Sequence, residues 1–416
     1  MQGLRQFTRN TLIYLSSNVA RASLPFLLLP FLARALGTEE YGKIGLVAAA
    51  YPLMLVVVGV GTQGFIRANY HRLSDDELHQ AIGNTALIVI AAGLLMFAAL
   101  APFADQFDLL PGGGMYYLCI ATCAAIGHKF IEIRLALWQM AQKPLNYGAL
   151  SIGLTVCNLA ISMLLVFVVG LLAEGRLIGM WLPPLLVGPL MLVAMGLRGE
   201  ARFSPNRALL RRALSFGVPL IPHSLAISGI VFVERFALSG NADSSLLGLY
   251  FAAFQLSLPI TILSNSVNLQ FRAWSDPKME AGSHRDVVIA SYLLMLALLV
   301  AALAYAWLLQ FLYTPLLGEA FAPGYPVSVI LILSAMFRGW YLIVSKGLFF
   351  ASRTRLLMAI STSLAIFFSA ILLLVDSLYG VAYLNLGFGF MLFLCTWIAT
   401  ARVCPQPWLR VFTGRA

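Results

Sequence analysis

The chain has 416 residues, of which 60% are hydrophobic and only 11% are charged, and its formal net charge is +10. Soluble domains carry roughly 25% charged residues, so this composition excludes a soluble enzyme and predicts a membrane protein. The 27 Lys and Arg outnumber the 17 Asp and Glu, and the places where this excess positive charge lies bear on both topology and function.

Twelve stretches of the sequence are long and apolar enough to cross a bilayer, which takes about 20 residues as a helix. In chain order they are 12–33, 44–65, 81–103, 115–138, 148–172, 177–196, 214–236, 247–269, 287–311, 326–350, 356–376 and 379–400. Lys and Arg concentrate in cytoplasmic loops. With the N-terminus inside, the inner segments hold 18 of them and the outer loops three. The sequence therefore predicts an all-α polytopic protein with both termini cytoplasmic.

The two halves of the chain share a pattern. Each has a predicted helix with two prolines, Pro25 and Pro30 in the first half and Pro219 and Pro222 in the second. A Gly-containing segment follows each helix, RALGTEEYG at 34–42 and RFALSGNADSSLLGLY at 235–250. Paired, Pro-interrupted helices indicate a transporter with its site between repeats, although membrane helices also simply tolerate Pro. We predict two domains, 1–200 and 201–416, as pseudo-symmetric six-helix bundles around a central cavity.

Six cations lie within the predicted spans, where each costs about 2.5–3.5 kcal/mol at a helix centre. They are Arg21, Lys129, Arg134, Arg235, Arg338 and Lys346. Arg134, Arg235 and Lys346 lie near helix ends and are expected to snorkel to the interface. The other three lie nearer mid-span and favour a water-filled cavity.

Only two acids accompany these cations, so the span interior has a net charge of +4. Glu132 lies one helical turn from Lys129, a spacing that suits a structural ion pair as well as a functional one. Glu234 adjoins Arg235, but neighbours in sequence do not face each other on a helix, so Glu234 is expected to pair elsewhere. A positive interior selects anions, and Arg binds phosphate and pyrophosphate through its bidentate fork.

Polar residues recur at helical spacing in four spans, on one face of each helix. These stripes are Tyr14, Asn18, Arg21 and Pro25; Ser151, Thr155, Asn158 and Ser162; Ser257, Thr261, Ser264, Asn268 and Arg272; and Ser334, Arg338, Tyr341 and Ser345. For the uncharged stripe in span five we favour helix packing. For the stripes with Arg21 and Arg338 we favour a cavity lining. The predicted substrate-binding residues are Arg21, Lys129, Arg338, Asn18, Tyr341 and Arg272.

Several short motifs resemble those of a known transporter family. They are RALGTEEYG at 34–42, SFGVPLIPHSL at 215–225, Glu-Arg at 234–235 and Gly-Leu-Tyr at 248–250. Together they resemble the Wzx-type O-antigen and polysaccharide flippases of the multidrug/oligosaccharidyl-lipid/polysaccharide exporter superfamily, over essentially the whole chain. That family commonly has Asp-Arg where this chain has Glu-Arg.

The resemblance implies a flippase of the bacterial inner membrane. Its substrate would be an undecaprenyl-pyrophosphate-linked oligosaccharide, the repeat unit of O-antigen in lipopolysaccharide or of a related glycan. By alternating access it would move this lipid from the cytoplasmic to the periplasmic leaflet. The implied partners are this substrate, membrane lipids, and a glycan polymerase and chain-length regulator of the same pathway.

The resemblance also implies coupling to an ion. The candidates within the spans are Glu132, Glu234, His128 and His223, and His128 and Glu132 have the i,i+4 spacing at which two side chains can share a proton. We predict no catalytic residue, cofactor, metal site or nucleic-acid partner, and hence no enzyme.

Two other functions stay open at this point. A drug or cation antiporter of the same fold would need an acid-lined site, which the positive span interior disfavours. A membrane glycan polymerase or ligase usually has a large outer loop, whereas the longest outer loop predicted here, near 312–325, has about a dozen residues.

Overall fold

The computed structural model describes residues 2–107, 113–240, 243–404 and 406–408, apart from the side chains of 2–15, 18, 19, 21, 22, 24, 25, 106, 107 and 273. Helices dominate this part of the chain, and no strand occurs in it. The helices are α1 (Gln2–Gly59), α2 (Thr62–Asn69), α3 (Asp75–Leu100), α4 (Gly114–Met140), α5 (Pro144–Met163), α6 (Leu172–Leu197), α7 (Arg207–Gly217), α8 (Ile221–Ser239), α9 (Ser245–Glu280), α10 (His284–Leu317), α11 (Tyr325–Val344), α12 (Lys346–Phe350), α13 (Thr354–Leu372) and α14 (Leu378–Val403).

Ten helical segments in the described part are long and apolar enough to cross a membrane. Two features separate this number from the twelve predicted. The long helix α1 contains a kink at Gly37 and thus holds two helices end to end. Helix α4 has 27 residues, but Lys129, Glu132 and Arg134 within it reduce its hydropathy. The all-α, polytopic prediction is confirmed, with twelve as an approximate count.

The kink in α1 depends on the backbone of Gly37, which has φ 69° and ψ −178°. A residue with a Cβ rarely adopts that combination, whereas glycine does so at little cost. The kink therefore falls at the glycine of the motif RALGTEEYG, where the first predicted span leads into the second.

By packing, the chain forms two compact units. Unit 1 consists of Met1–Leu28 and Val47–Ser228, and unit 2 of Leu29–Leu46 and Gly229–Ala416. The middle of α1, around the kink, thus packs with the second half of the sequence. The domain boundary between residues 200 and 201 stays a prediction.

The two related sequence motifs contact each other within unit 2. A Cβ on Gly248 would overlap the Thr38 carbonyl oxygen, and one on Gly42 would lie 2.8 Å from the Gly248 nitrogen. Beside this contact, the Tyr41 ring lies 4.9 Å from that of Phe251 between centroids. Glycine at both positions lets the two backbones approach as closely as small residues do between membrane helices.

Gly248→Ala is therefore expected to destabilise the protein by at least about 1–3 kcal/mol, because the added methyl group overlaps a backbone carbonyl that cannot rotate away. The matched control is Gly229→Ala in α8, where an added Cβ meets nothing within 4 Å. This control should be neutral or slightly stabilising, since Ala is favoured over Gly inside a helix. Thermal melting of both purified variants in detergent is the measurement, and equal melting temperatures would contradict the close contact.

Candidate functional site

Unit 2 contains a completely buried carboxylate, that of Glu234 in α8, which is 0% exposed. The Tyr250 hydroxyl donates to Glu234 Oε2 at 2.9 Å, and the Asn385 amide Nδ2 donates to Glu234 Oε1 at 2.6 Å. A buried carboxylate is costly unless hydrogen bonds and a counter-charge compensate for lost water. Tyr250 and Asn385 supply the hydrogen bonds, from helices α9 and α14.

The nearest counter-charge is Arg338 in α11, whose Nη2 lies 4.0 Å from Glu234 Oε1. That distance is too long for a hydrogen bond. Among the described residues, the Nε and Nη2 atoms of Arg338 have no hydrogen-bond partner, although both are buried. The guanidinium lies 5.3 Å from the centroid of the Phe388 ring. Arg338 thus compensates Glu234 electrostatically and keeps two donors available.

Asn385 is held in place by a further hydrogen bond. Ser334 Oγ donates to Asn385 Oδ1 at 2.6 Å, which leaves the Asn385 amide nitrogen directed at Glu234. Sequence reasoning singled out neither Tyr250 nor Asn385 as a functional residue. Tyr250 was visible as the end of the Gly-Leu-Tyr motif. Asn385 lies in an apolar stretch of α14, eleven residues before the next polar residue, Thr396, and thus offered no repeating pattern.

Glu234 pairs away from its sequence neighbour Arg235, as predicted. Arg235 Nη1 donates instead to the Gly45 carbonyl at 2.8 Å, and its guanidinium lies 4.8 Å and 4.7 Å from the Phe251 and Phe254 ring centroids. Arg235 is only 3% exposed, so the expectation that it snorkels is wrong. Contacts with a carbonyl and two rings replace water around this charge.

The snorkelling expectation is also wrong for Arg134 and Lys346, which are both buried. Arg134 in unit 1 forms an ion pair with Glu200. Lys346 in unit 2 places its Nζ atom 3.4 Å from the Phe271 ring centroid. Arg134, Arg235 and Lys346 thus each contact a group of their own unit: an acid, a carbonyl with two rings, and a ring, respectively.

Unit 1 contains a second charged cluster, on helix α4. Lys129 Nζ lies 2.7 Å from Glu132 Oε2, and His128 Nε2 lies 3.7 Å from Glu132 Oε1. The helical spacing predicted these two contacts. The His128 ring also packs edge-on against Tyr51, with 6.2 Å between the ring centroids.

This charged cluster borders a cavity of about 230 Å³ in unit 1, lined by Lys129 and Glu132. The first turn of α2 contributes Thr62, Gln63 and Gly64 to the same lining. The cavity combines a cation, an acid and neutral polar groups, so it suits a small polar ligand.

The other predicted site residues are placed as follows. The side chains of Asn18 and Arg21 lie outside the described residues. In unit 2, Arg272 is half-buried with its guanidinium 4.6 Å from the Phe349 ring centroid, and Tyr341 is half-buried in α11. In unit 1, His223 is half-buried in α8. The described residues contain no group of three or more His, Cys, Asp or Glu that could hold a metal ion.

The polar stripe of span five serves packing, the alternative that the sequence favoured. Ser151 and Thr155 donate to backbone carbonyls of their own helix. Arg176 Nη1 donates to Asn158 Oδ1 at 2.6 Å and to Ser162 Oγ at 2.8 Å, which links α6 to α5.

Residues 7–271 match the family model described as polysaccharide biosynthesis protein. A Haemophilus influenzae protein of the Lsg locus is 23% identical over 84% of this chain and 86% of its own length. A second protein of that organism, named as an uncharacterized membrane protein, is 22% identical over 83% and 85%.

Solved structures of multidrug-type transporters share the fold. An inward-facing multidrug resistance MATE family transporter of the MOP superfamily aligns over 92% of this chain and 98% of its own, with a TM-score of 0.59 and 14% identity. A MOP superfamily transporter from Pyrococcus furiosus aligns over 95% of both chains, with a TM-score of 0.55 and 13% identity. The chain therefore belongs to the polysaccharide biosynthesis protein family and has the fold of the MATE transporters of the MOP superfamily.

Proposed function

We propose that this membrane transporter is a flippase for an undecaprenyl-pyrophosphate-linked oligosaccharide, an O-antigen unit or a related glycan repeat. It moves the lipid from the cytoplasmic to the periplasmic leaflet of the bacterial inner membrane by alternating access, with both termini cytoplasmic. The observation on which this rests is Arg338, a mid-span cation with two unused buried donors. A guanidinium of this kind matches the paired oxygens of a pyrophosphate. The family match to polysaccharide biosynthesis supports a glycan on that anion.

The sign of the buried charge disfavours the drug or cation antiporter. A cationic substrate needs an acidic site, whereas the two acids within the spans predicted from the sequence, Glu132 and Glu234, each lie beside a cation. The Pyrococcus furiosus transporter of this fold is described as having a binding pocket of reversed polarity that suggests a different function. Pocket polarity thus separates functions on one fold, and here it favours an anionic substrate.

Each unit contributes its own substrate contacts in this proposal. In unit 2, Arg338 binds the pyrophosphate, while Arg272 and Tyr341 contact the phosphate or the sugars. In unit 1, Lys129 supplies a further positive charge. Arg21 and Asn18 are assigned to the same role from their sequence pattern. The lipid tail stays among membrane lipids, and the polymerase and chain-length regulator of the pathway are the proposed protein partners.

Glu234 is the preferred ion-coupling residue among the four candidates. It is fully buried, and its nearest counter-charge, Arg338, is not hydrogen-bonded to it. A proton or a small cation on Glu234 would release Arg338 for the substrate. Binding of the ion at Glu234 would therefore change the affinity of Arg338 for the substrate. Glu132 and His128 form a second candidate pair, and His223 is the remaining candidate.

Deletion of the gene from its host tests this function. We expect loss of the surface glycan and accumulation of a short lipid-linked unit at the cytoplasmic face, both reversed by the wild-type gene. Cytoplasmic location is measured by resistance of the lipid-linked unit to a glycosidase added to spheroplasts. Normal surface glycan in a strain without redundant exporters would overturn the proposal.

The same deletion separates the two alternatives. Loss of a polymerase or ligase would leave single lipid-linked units on the outer face, where the added glycosidase degrades them. Loss of a drug antiporter would leave the glycan intact and increase sensitivity to cationic drugs.

A further inference from the structure

Helix α7 of unit 1 has one charged face and one apolar face. Its sequence, RALLRRALSFG, contains Arg207, Arg211 and Arg212, and all three side chains are exposed. Leu209 and Ala213, on the opposite face, are buried. A short helix with arginines on one face and apolar residues on the other is typical of a membrane interface.

The apolar face of α7 packs against the rest of unit 1. Leu209 and Ala213 belong to a buried apolar cluster that also contains Phe65 of α2 and Leu78 and Ile82 of α3. Because α7 lies directly on this core, its rotation is fixed and its arginines are held on the outside.

The segment that leads into α7, residues 198–206, is held in place by α3. The Arg202 backbone N–H donates to the His79 carbonyl at 2.9 Å, and the Asn206 backbone N–H donates to Asn84 Oδ1 at 3.0 Å. The Asn206 side chain then accepts from two backbone N–H groups of the first turn of α7, at 3.0 and 3.3 Å. These N–H groups are thus already satisfied, and the arginines are the donors that α7 offers to a ligand.

Acidic residues of α3 compensate the arginines on one side of α7. Arg202 Nη1 lies 3.1 Å from Asp76 Oδ1, and Arg212 interacts electrostatically with Glu77. Both acids lie in the first turn of α3. Arg202 and Arg212 therefore have their counter-charges within the protein.

Arg207 and Arg211 lie on the other side of α7 and are not compensated. Within the described part of the chain, neither side chain forms an ion pair or a hydrogen bond. The two arginines are one helical turn apart, and like charges at that spacing repel each other. Leu214 lies on the same side of the helix, three residues after Arg211, and is 39% exposed. Two guanidinium groups beside an exposed leucine match a molecule with an anionic head and an apolar tail.

The depth of this site in the bilayer follows from helix length. The apolar segment Arg207–Ser239 has 33 residues, whereas about 20 residues cross the hydrocarbon core. The eleven residues of α7 at its start therefore extend beyond the core. The seventh predicted span begins at Leu214, so the two arginines before it lie at the level of the lipid headgroups. Anionic headgroups attract Arg at this level.

We propose that Arg207 and Arg211 form a binding site for the phosphate of an anionic phospholipid in the cytoplasmic leaflet, with Leu214 against its acyl chain. Each guanidinium can donate two parallel hydrogen bonds to a phosphate, and the bound anion removes the repulsion between the two arginines. Topology alone also favours arginines in inner segments, but it does not require an oriented pair beside an exposed leucine. This site is separate from the substrate contacts and does not depend on the proposed substrate.

Native mass spectrometry of the purified full-length protein in a neutral detergent tests this site. The protein is titrated with phosphatidylglycerol and, separately, with phosphatidylcholine of the same acyl chains, and the bound lipid is counted at each concentration. We expect the tightest site to prefer phosphatidylglycerol at least fivefold, since one cation near an anionic lipid contributes about fivefold in affinity. This preference should decrease as the ionic strength rises.

Paired variants assign the site. Arg207→Gln with Arg211→Gln should weaken the binding of phosphatidylglycerol by about 25-fold, about fivefold for each arginine. Without lipid its melting temperature should equal or slightly exceed that of the wild type, because the repulsion is gone. The matched control, Arg353→Gln with Arg355→Gln, removes two exposed arginines of unit 2 and should bind phosphatidylglycerol as the wild type does.

Arg207→Lys with Arg211→Lys keeps both charges and should retain the preference for phosphatidylglycerol. This variant replaces the glutamine pair as the test if that pair proves unstable, and loss of the preference in it would then reject the site only if its melting temperature matches the wild type.

Two results would overturn the proposal directly: unchanged binding of phosphatidylglycerol in the glutamine pair of α7, or an equal loss in the control pair. The first would leave Arg207 and Arg211 with a role in topology alone, and the second would show binding by general charge. Inorganic phosphate added as a competitor distinguishes the source of the anion. Displacement of phosphatidylglycerol by an equal concentration of phosphate would assign the site to a soluble anion and reject a lipid.

Discussion

Glu234→Gln is expected to stop glycan export while the protein still folds and reaches the membrane. The amide is close in size to the carboxylate and keeps an oxygen for Tyr250, but it cannot take up a proton or balance the charge of Arg338. Coupling free energies between sites are typically about 1–3 kcal/mol, or about 5–150-fold. We therefore expect surface glycan to fall at least fivefold in complemented deletion strains at matched protein level.

The alanine variant at the same position separates folding from function. Glu234→Ala removes one partner of a buried charge pair, which typically costs about 3–5 kcal/mol, and it also leaves the donors of Tyr250 and Asn385 unsatisfied. It should melt at a clearly lower temperature than Glu234→Gln. Glu280→Gln neutralises an exposed acid of the same unit and serves as the control for charge. Normal export by Glu234→Gln would remove Glu234 from the coupling step.

Arg338→Ala should reduce export by about 10–150-fold, the range that corresponds to loss of a charged hydrogen bond worth about 1.5–3 kcal/mol. Arg338→Lys should restore export only in part, because a single ammonium cannot reproduce the planar fork that binds two oxygens. The matched control is Arg355→Ala, which removes an exposed arginine of unit 2. Unchanged export by Arg338→Ala at normal protein level would reject its role in substrate binding.

Combining the two substitutions tests whether the residues form a functional pair. The double variant Arg338→Ala with Glu234→Gln removes both charges of this pair, so its melting temperature should exceed that of Arg338→Ala alone. Its export should remain low, since the substrate contact and the ion site are both absent. Recovery of stability without recovery of export would show that the pair contributes to transport beyond holding the helices together.

Much of the architecture was readable from local sequence. A membrane helix satisfies its backbone hydrogen bonds within its own segment, so composition over about 20 residues is enough to predict it. The i,i+3 and i,i+4 contacts of Lys129, Glu132 and His128 were predictable for the same reason, since they lie on one helix. The motif RALGTEEYG likewise marked the place where the backbone turns at Gly37.

Which residues contact each other across two helices could not be predicted from local sequence. The partners of Glu234 lie 16 residues away at Tyr250 and 151 residues away at Asn385. In lipid, an outward face is as apolar as a packed one, so hydropathy does not show which way a helix is rotated. The sequence offered no signal that Asn385 faces a carboxylate.

The charges near helix ends show the same division between sequence and structure. Sequence position placed Arg235 within reach of the interface, yet a carbonyl and two rings from its own unit cover it. By itself the sequence determined that this protein lies in a lipid bilayer, where its helices are and which sign its interior charge has. Each of these follows from local composition added up along the chain. Only the tertiary structure decided which charge is compensated and which donor stays available, because that depends on distances between residues far apart in the chain.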